Sequence, residues 1–201
     1  MKILTVSDRV TPELISDGSP VAKGSIDLIL GCGDLPPEFL SRLREVYDVP
    51  LFYVLGNHDI RHETGIQGCE DLTRRIIMHG GRSFVGFSGS RWYNGNQNQY
   101  REREMRTQIR WLWFDLWRLK RLDVVVTHAP PRYIHDAEDR CHKGFNCYRG
   151  FIEKYRPGFF IHGHIHRVFE TPADRVTVVD QTQVINSYGY HLVSIHDEPA
   201  A

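Results

Sequence analysis

Five short apolar runs in this chain each end in a side chain able to bind a metal ion or move a proton. Ile3-Leu4-Thr5-Val6 leads into Ser7-Asp8, Ile26-Asp27-Leu28-Ile29-Leu30 into Gly31-Cys32-Gly33-Asp34, and Leu51-Phe52-Tyr53-Val54-Leu55 into Gly56-Asn57-His58-Asp59. Asp123-Val124-Val125-Val126-Thr127 then leads into His128-Ala129-Pro130-Pro131, and Phe159-Phe160-Ile161 into His162-Gly163-His164-Ile165-His166. Taken singly, these residues have ordinary uses: Asp8 could close a turn, Asp34 could cap the next helix, and Asn57 could occupy a positive-φ position. Unrelated turn residues would not, however, place two aspartates, an asparagine and several histidines at five successive run ends. Carboxylate, amide oxygen and imidazole make a donor set suited to Mn, Fe, Zn or a similar divalent ion. The lack of closely spaced thiols argues against a structural cysteine-based zinc site. Two ions could share one bridging carboxylate.

The elements that must carry these residues follow from hydrophobic pattern. Short, nearly continuous apolar runs suit strands buried on both faces of an α/β sheet, and ligands of such sheets sit beyond the carboxyl ends of the strands. Pro36-Pro37 opens a helix that runs through Tyr47 with Phe39, Leu40, Leu43 and Val46 on one side. The Pro, Ser and Gly content of residues 11–25 predicts a loop, as does the polar segment from Asp59 to Arg75. Ile76-Ile77-Met78 and Ser83-Phe84-Val85-Gly86-Phe87 read as short strands around a turn at Gly80-Gly81. Residues 88–100 read as a loop whose Arg91, Trp92, Tyr93, Asn94 and Asn98 either line a cleft or cap the sheet.

Met105, Ile109, Leu112, Leu116 and Leu119 recur at helical spacing, which predicts one amphipathic helix over 102–122. Trp111, Trp113 and Trp117 beside it read as core or partner contact. A polar loop with His135, Asp136, Asp139 and His142 precedes a helix at about 150–155, and the tail alternates like antiparallel strands over 176–179, 183–185 and 191–195. No linker or repeat divides the chain, so residues 1–201 read as a single domain.

Composition narrows the partners. Hydrophobic residues make up 41% of 201, enough for a real core. Lys plus Arg equals Asp plus Glu at 25 each, so no whole-molecule field draws the protein to nucleic acid or an anionic membrane. A nuclease is therefore disfavoured. Without an apolar leader or an apolar stretch of spanning length, the expected location is the cytoplasm. The cysteines Cys32, Cys69, Cys141 and Cys147 read as free thiols. Histidine is the unusual residue, with 11 copies, of which His62, His79, His191 and His196 stand outside any motif.

Ser7-Asp8, Gly33-Asp34, Gly56-Asn57-His58-Asp59, Thr127-His128-Ala129-Pro130-Pro131 and Gly163-His164-Ile165-His166, in that order, resemble the motifs of the calcineurin-like metallophosphoesterases. The resemblance runs almost the full chain. It implies a two-sheet α-β-β-α sandwich with a dinuclear metal site at the carboxyl ends of the strands. By motif position, Asp8 and His166 would bind the first ion, Asp34 would bridge, and Asn57, His128 and His164 would hold the second. His58 would face the leaving group as general acid, with Asp59 or Asp34 holding its tautomer.

The first motif departs from the family pattern, which is Asp-x-His. Here Asp8-Arg9-Val10 places a valine where the first ion normally gains an imidazole. Site one then rests on Asp8, Asp34, His166 and solvent, which predicts weaker binding there than at site two. His135, Asp136 and His142 could compensate by composition, although they read more simply as surface loop residues. His162 reads as structural support. The implied function is hydrolysis of a small phosphomonoester or phosphodiester, with Arg91 a candidate for phosphoryl charge. The alternative is a metal-depleted interaction scaffold on the same fold. Oligomeric state is unmarked.

Overall fold

The computed structural model describes residues 1–59 and 65–196; His62 lies outside them. In the first half, strands β1 (Lys2–Ser7), β2 (Leu28–Cys32) and β3 (Leu51–Val54) alternate with a single helix, α1 (Pro37–Tyr47). Then come β4 (Glu70–Asp71), β5 (Ile76–His79), β6 (Arg82–Phe87), β7 (Ser90–Arg91) and β8 (Gln99–Tyr100). Helices α2 (Glu102–Trp111) and α3 (Trp113–Arg118) lead to β9 (Val124–Thr127), α4 (Asn146–Tyr155) and β10 (Phe159–His162). Strands β11 (Val176–Val179), β12 (Thr182–Asn186) and β13 (Gly189–Ser194) follow.

These strands form two main sheets, ordered β13-β1-β2-β3-β4 and β11-β12-β10-β9-β6-β5, beside a small β7-β8 pair. Strands β1, β2 and β3 are mutually parallel, as are β6, β9 and β10, while β13 returns antiparallel along β1. Parallel strands send their carboxyl ends to the same edge, which is what gathers the five polar run ends.

Side-chain alternation builds three apolar layers. Leu28, Leu30 and Phe52 of one sheet meet Phe84, Val126 and Ile161 of the other between the sheets. The opposite faces carry Ile29 and Leu51 against Phe39 and Leu43 of α1, and Val125 and Phe160 against Met105, Leu116 and Phe151 of the other helices. The layers are therefore α-β-β-α, as expected. Phe84 is fully buried and touches Phe52 edge-on at 5.7 Å, so truncation to Ala at this inter-sheet position costs about 3 to 5 kcal/mol.

Several elements differ from expectation. The second strand begins at Leu28 and not Ile26: the Asp27 amide still donates to the Lys2 carbonyl at 2.8 Å, but the Lys2 amide is taken by the Asp27 carboxylate at 2.6 Å and not by a backbone carbonyl. The helix expected over 102–122 breaks at Leu112, whose φ of −89° and ψ of 3° leave α-helical geometry, and the chain turns extended at Leu119. Leu112 and Leu116 still face the core, so the break re-aims α3 without losing the buried stripe. Helix α4 starts four residues before the expected position, since Glu102 accepts the amides of Asn146 at 3.1 Å and Cys147 at 2.6 Å. That cap comes from another helix and leaves no local signal. The 88–100 loop contains the β7-β8 pair, and the polar stretch before Arg75 contains β4, paired to β3. The tryptophans are not core. Trp111, Trp113 and Trp117 are 64%, 61% and 73% exposed, the inward positions being taken by Met105, Leu112 and Leu116. The four cysteines are free thiols.

Candidate metal centre

Asp8, Asp34 and His164 each follow a strand directly or nearly so, and each adopts a left-handed backbone, with φ of 61°, 56° and 67°. For side chains other than glycine this costs about 1 to 2 kcal/mol apiece, so the surrounding bonds must hold it. They do. The Asp8 amide donates to the Gly33 carbonyl at 3.1 Å, the Asp34 amide to Asp59 Oδ2 at 2.8 Å, and the His164 amide to Asp8 Oδ2 at 2.9 Å. The last bond joins the two sheets across their carboxyl edge. Two glycines make the approach possible: a Cβ on Gly56 would collide with the Asp34 carboxylate, and one on Gly163 would lie 2.6 Å from Asp8 Oδ2.

Four acceptor atoms converge at this edge. His128 Nε2 lies 3.1 Å from Asn57 Oδ1, 3.3 Å from Asp34 Oδ2 and 3.0 Å from His164 Nδ1. The second nitrogen of each ring is already engaged: His128 Nδ1 donates to the Cys32 carbonyl at 2.9 Å, and His164 Nε2 to the Cys141 carbonyl at 2.6 Å. Those carbonyls leave lone pairs on His128 Nε2 and His164 Nδ1, facing each other and two oxygens. Such a cluster needs a cation at its centre, and carbonyl-oriented imidazoles are the usual support of metal-binding histidines. The donors present therefore fit a divalent ion. Without one, a proton takes that place. Burial opposes charge on His128, but the Asp34 carboxylate overrides it and lifts the imidazole to about 9, with Asp8 adding to the effect. Burial likewise opposes charge on Asp34, yet His128 holds that carboxyl well below its usual range. His164 is kept neutral by burial and by the neighbouring His128 charge.

The remaining candidates occupy the rim. His166 Nε2 lies 3.3 Å from Asp8 Oδ1, and this bond raises the pKa of the imidazole, whose side chain is 58% exposed. Val10 is exposed. Among the described residues, Asp34, His128 and His164 bring ligand atoms within 4.8 Å of one another, and so do Asp139, Cys141 and His142; neither of these groups contains Asp8 or His166. His58 is exposed, and its backbone amide donates to Asp34 Oδ1 at 2.8 Å. Asp59 Oδ2 accepts both the Asp34 and the Gly56 amides at 2.8 Å, so this carboxylate ties the second and third strand ends together.

The 132–149 loop does not bring His135 or Asp136 to the first ion's position. His135 Nδ1 lies 2.9 Å from His162 Nε2, and its Nε2 lies 2.8 Å from Thr177 Oγ1. Burial, with Arg167 nearby, lowers His135 to about 4, while burial and His135 push His162 well below the ordinary imidazole value. Asp136 is paired with buried Arg132 at 2.6 Å and accepts the Tyr133 and Gly144 amides. Both are half-buried residues that support the loop through these bonds. His142 packs its ring 5.3 Å from that of His164 and is held by Asp139 at 3.0 Å. Arg91 donates to the Gly144 carbonyl at 3.5 Å, which ties β7 to this loop.

Sequence reasoning missed three supports. Tyr93 Oη accepts the Asn57 amide at 3.2 Å, which turns Asn57 Oδ1 toward His128, and burial raises the phenol's pKa. The Cys32 and Cys141 carbonyls are backbone atoms, invisible to side-chain patterns. Tyr93 carried a signal only as an aromatic in a polar loop, one that folds around Gln99, whose Oε1 accepts the amides of Tyr93, Asn94 and Gly95.

Comparison by sequence with curated proteins gives no match. Among solved structures, the fold is similar to TT1561 of Thermus thermophilus, at 13% identity and TM-score 0.64, covering 94% of this chain and 89% of that one. It is also similar to phosphopantetheinyl hydrolase from Mycobacterium tuberculosis, at 15% identity and TM-score 0.61 over 93% and 88% of the two chains. A dimetal phosphatase from Danio rerio aligns at 10% identity and TM-score 0.54 over 96% and 91%. At these identities the likeness is one of fold. The model of the calcineurin-like phosphoesterase family matches residues 7–168, most of the chain and all five polar strand ends, and the protein belongs to that family.

Proposed function

We propose that this protein is a metal-dependent phosphoesterase acting on a small phosphomonoester or phosphodiester. The observation that carries the reading is the convergence of Asp34 Oδ2, Asn57 Oδ1, His128 Nε2 and His164 Nδ1, four acceptors with no internal donor among them once the two carbonyls have fixed the imidazoles. In this reading those four hold the tighter ion, Asp34 also faces the second, and Asp8 with His166 completes a weaker first position that lacks an imidazole at Val10. Two divalent ions, with Mn, Fe or Zn suited to these donors, would supply charge neutralisation for a phosphoryl group and lower the pKa of water from 15.7 toward about 7. Asp34 stays ionised through the working range and His164 stays neutral, so both remain competent donors.

His58 is the proposed general acid. Its exposure at the rim leaves the imidazole free to reach a leaving-group oxygen, and the bond from its amide to Asp34 Oδ1 fixes its backbone relative to the ligands. Asp59 holds the same loop from below. The neutral overall charge disfavours a nucleic-acid substrate.

A scaffold reading draws on exposed Val10 and on fold likeness to Vps29 from Entamoeba histolytica, at 14% identity and TM-score 0.50 over 98% of this chain and 87% of that one. The intact four-acceptor cluster favours the enzyme. Metal content of the purified protein, measured with hydrolysis of aryl phosphomonoesters and phosphodiesters in added manganese, separates the two. Metal-loaded protein that hydrolyses neither ester class would sink the phosphoesterase reading.

A further inference from the structure

The α2-α3 segment presents a surface that the proposed chemistry does not use. Three of the four tryptophans in the chain, Trp111, Trp113 and Trp117, are more than 60% exposed there, and Phe114 is 46% exposed. Three of the rings form one continuous patch. Trp113 meets Phe114 edge-on at 5.6 Å, and Phe114 stacks on Trp117 at 6.1 Å and 28°. A folded domain does not ordinarily leave three contiguous large aromatics in water, with a fourth exposed nearby in the chain.

The charge around them is one-sided. Residues 101–121 hold seven arginines and lysines against three carboxylates, on a chain whose total is balanced; Arg121 is paired with Asp123 at 3.2 Å and Arg106 with Glu102 at 3.9 Å, which leaves Arg110, Arg118 and Lys120 beside the aromatics. Two of the three carboxylates are engaged locally, Glu102 at the amides that open α4 and Glu104 at the Arg101 amide, at 2.7 Å. Arg118 lies over Phe114 at 5.7 Å and Arg74 over Trp111 at 5.5 Å, so guanidinium groups border the aromatic patch. Aliphatic side chains of the same helices, Met105, Leu112 and Leu116, turn inward. What remains outside is indole and phenyl bordered by Arg and Lys, the composition of a segment that lies in a membrane interface.

We infer that the α3 face docks on the surface of an anionic phospholipid bilayer, with Trp113, Phe114 and Trp117 entering the headgroup region and Arg110, Arg118 and Lys120 facing lipid phosphates. A second copy is disfavoured because a self-complementary contact would set this cationic border against itself. Single-stranded nucleic acid would stack on aromatics, but it needs a groove to track its backbone, and this patch lies on the outside of a short helix. No helix among the described residues is long and apolar enough to cross a membrane, so the contact is peripheral.

The test is sedimentation of the full chain with vesicles of phosphatidylcholine alone or mixed with phosphatidylglycerol. Binding is expected to the mixed vesicles only, with tryptophan emission shifted to shorter wavelength and partition falling as salt rises. Each cation contributes about fivefold to partition, so Arg110→Gln with Arg118→Gln weakens it about 25-fold. Trp113→Ser with Trp117→Ser weakens it about tenfold or more, with circular dichroism and thermal unfolding showing that both variants fold. Equal binding to neutral vesicles, no binding to the mixed ones, or full binding by either variant overturns the proposal. A dimer or an oligonucleotide complex that depends on the same tryptophans, in place of vesicle binding, also overturns it.

Discussion

Removing the Asp59 carboxylate distinguishes a clamp from a proton-relay partner. In the structure its Oδ2 accepts two backbone amides at 2.8 Å, from Asp34 and Gly56, and thereby ties two strand ends. Hydrogen bonds to a charged acceptor are worth about 1.5 to 3 kcal/mol each, and partial exposure places both at the low end. Asp59→Ala is therefore expected to cost about 3 kcal/mol of stability. On a chain of this length that is a fall of about 6 to 12 °C in Tm for the metal-free protein. Because Asp34 stands in a left-handed backbone that this bond helps to hold, its carboxylate should also lose position. Metal affinity should drop about 10- to 100-fold, as for other supports behind a ligand. Calorimetric unfolding and metal titration read both effects. If Asp59→Ala kept native Tm and native metal affinity while turnover collapsed, the clamp argument would be wrong and Asp59 would act on His58 instead.

Other outcomes follow from the same geometry. His58→Ala should lower kcat about 10²- to 10⁴-fold with metal content unchanged, and loss of metal in that variant would contradict the general-acid role. Val10→His should tighten the weaker ion by about tenfold, one ligand's worth of free energy, with unchanged titration curves counting against the first-site assignment. Gly163→Ala forces a Cβ within 2.6 Å of Asp8 Oδ2 and should cost about 1 to 3 kcal/mol, while a native urea midpoint would show that the strand end gives way freely. The His135 and His162 imidazoles are neutral when folded, with pKa values depressed below the ordinary 6.5. The unfolded chain therefore binds more protons below that pH. Stability should be complete above about 6.5 and fall on going to pH 5, by about 2 kcal/mol for His135 and further for His162. A flat urea-measured stability over that window in metal-free protein would refute this.

Much of the candidate site was legible because its polar side chains stand at the ends of buried strands, where apolar runs are unmistakable and a polar terminus stands out. Asp8, Asp34, Asn57, His128 and His164 stood out this way, whereas the α-β-β-α layer order came from the resemblance of the ordered motifs to the calcineurin-like family and not from the apolar pattern. Of the 102–122 stripe, Met105, Leu112 and Leu116 are buried and Ile109 and Leu119 half-buried, while buried Gln108 was not in the pattern. The stripe gave neither the break at Leu112 nor the outward turn of the tryptophans, because a three-to-four spacing is satisfied by one helix or by two.

The amino-acid sequence by itself determined which side chains could hold a cation and which strands deliver them, because both are set by residue type and local period. Only the tertiary structure decided how they are oriented. The Cys32 and Cys141 carbonyls select the ring nitrogens that face inward, Tyr93 turns the Asn57 amide, and Asp59 bonds two strand ends. Tertiary structure likewise took His135 and Asp136 away from the first ion's position, by giving them His162 and Arg132 as partners. The reason is physical: a ligand's type is a property of one residue, but its direction is fixed by hydrogen bonds from distant chain segments, 96 residues apart for His128 and Cys32 and 156 for Asp8 and His164.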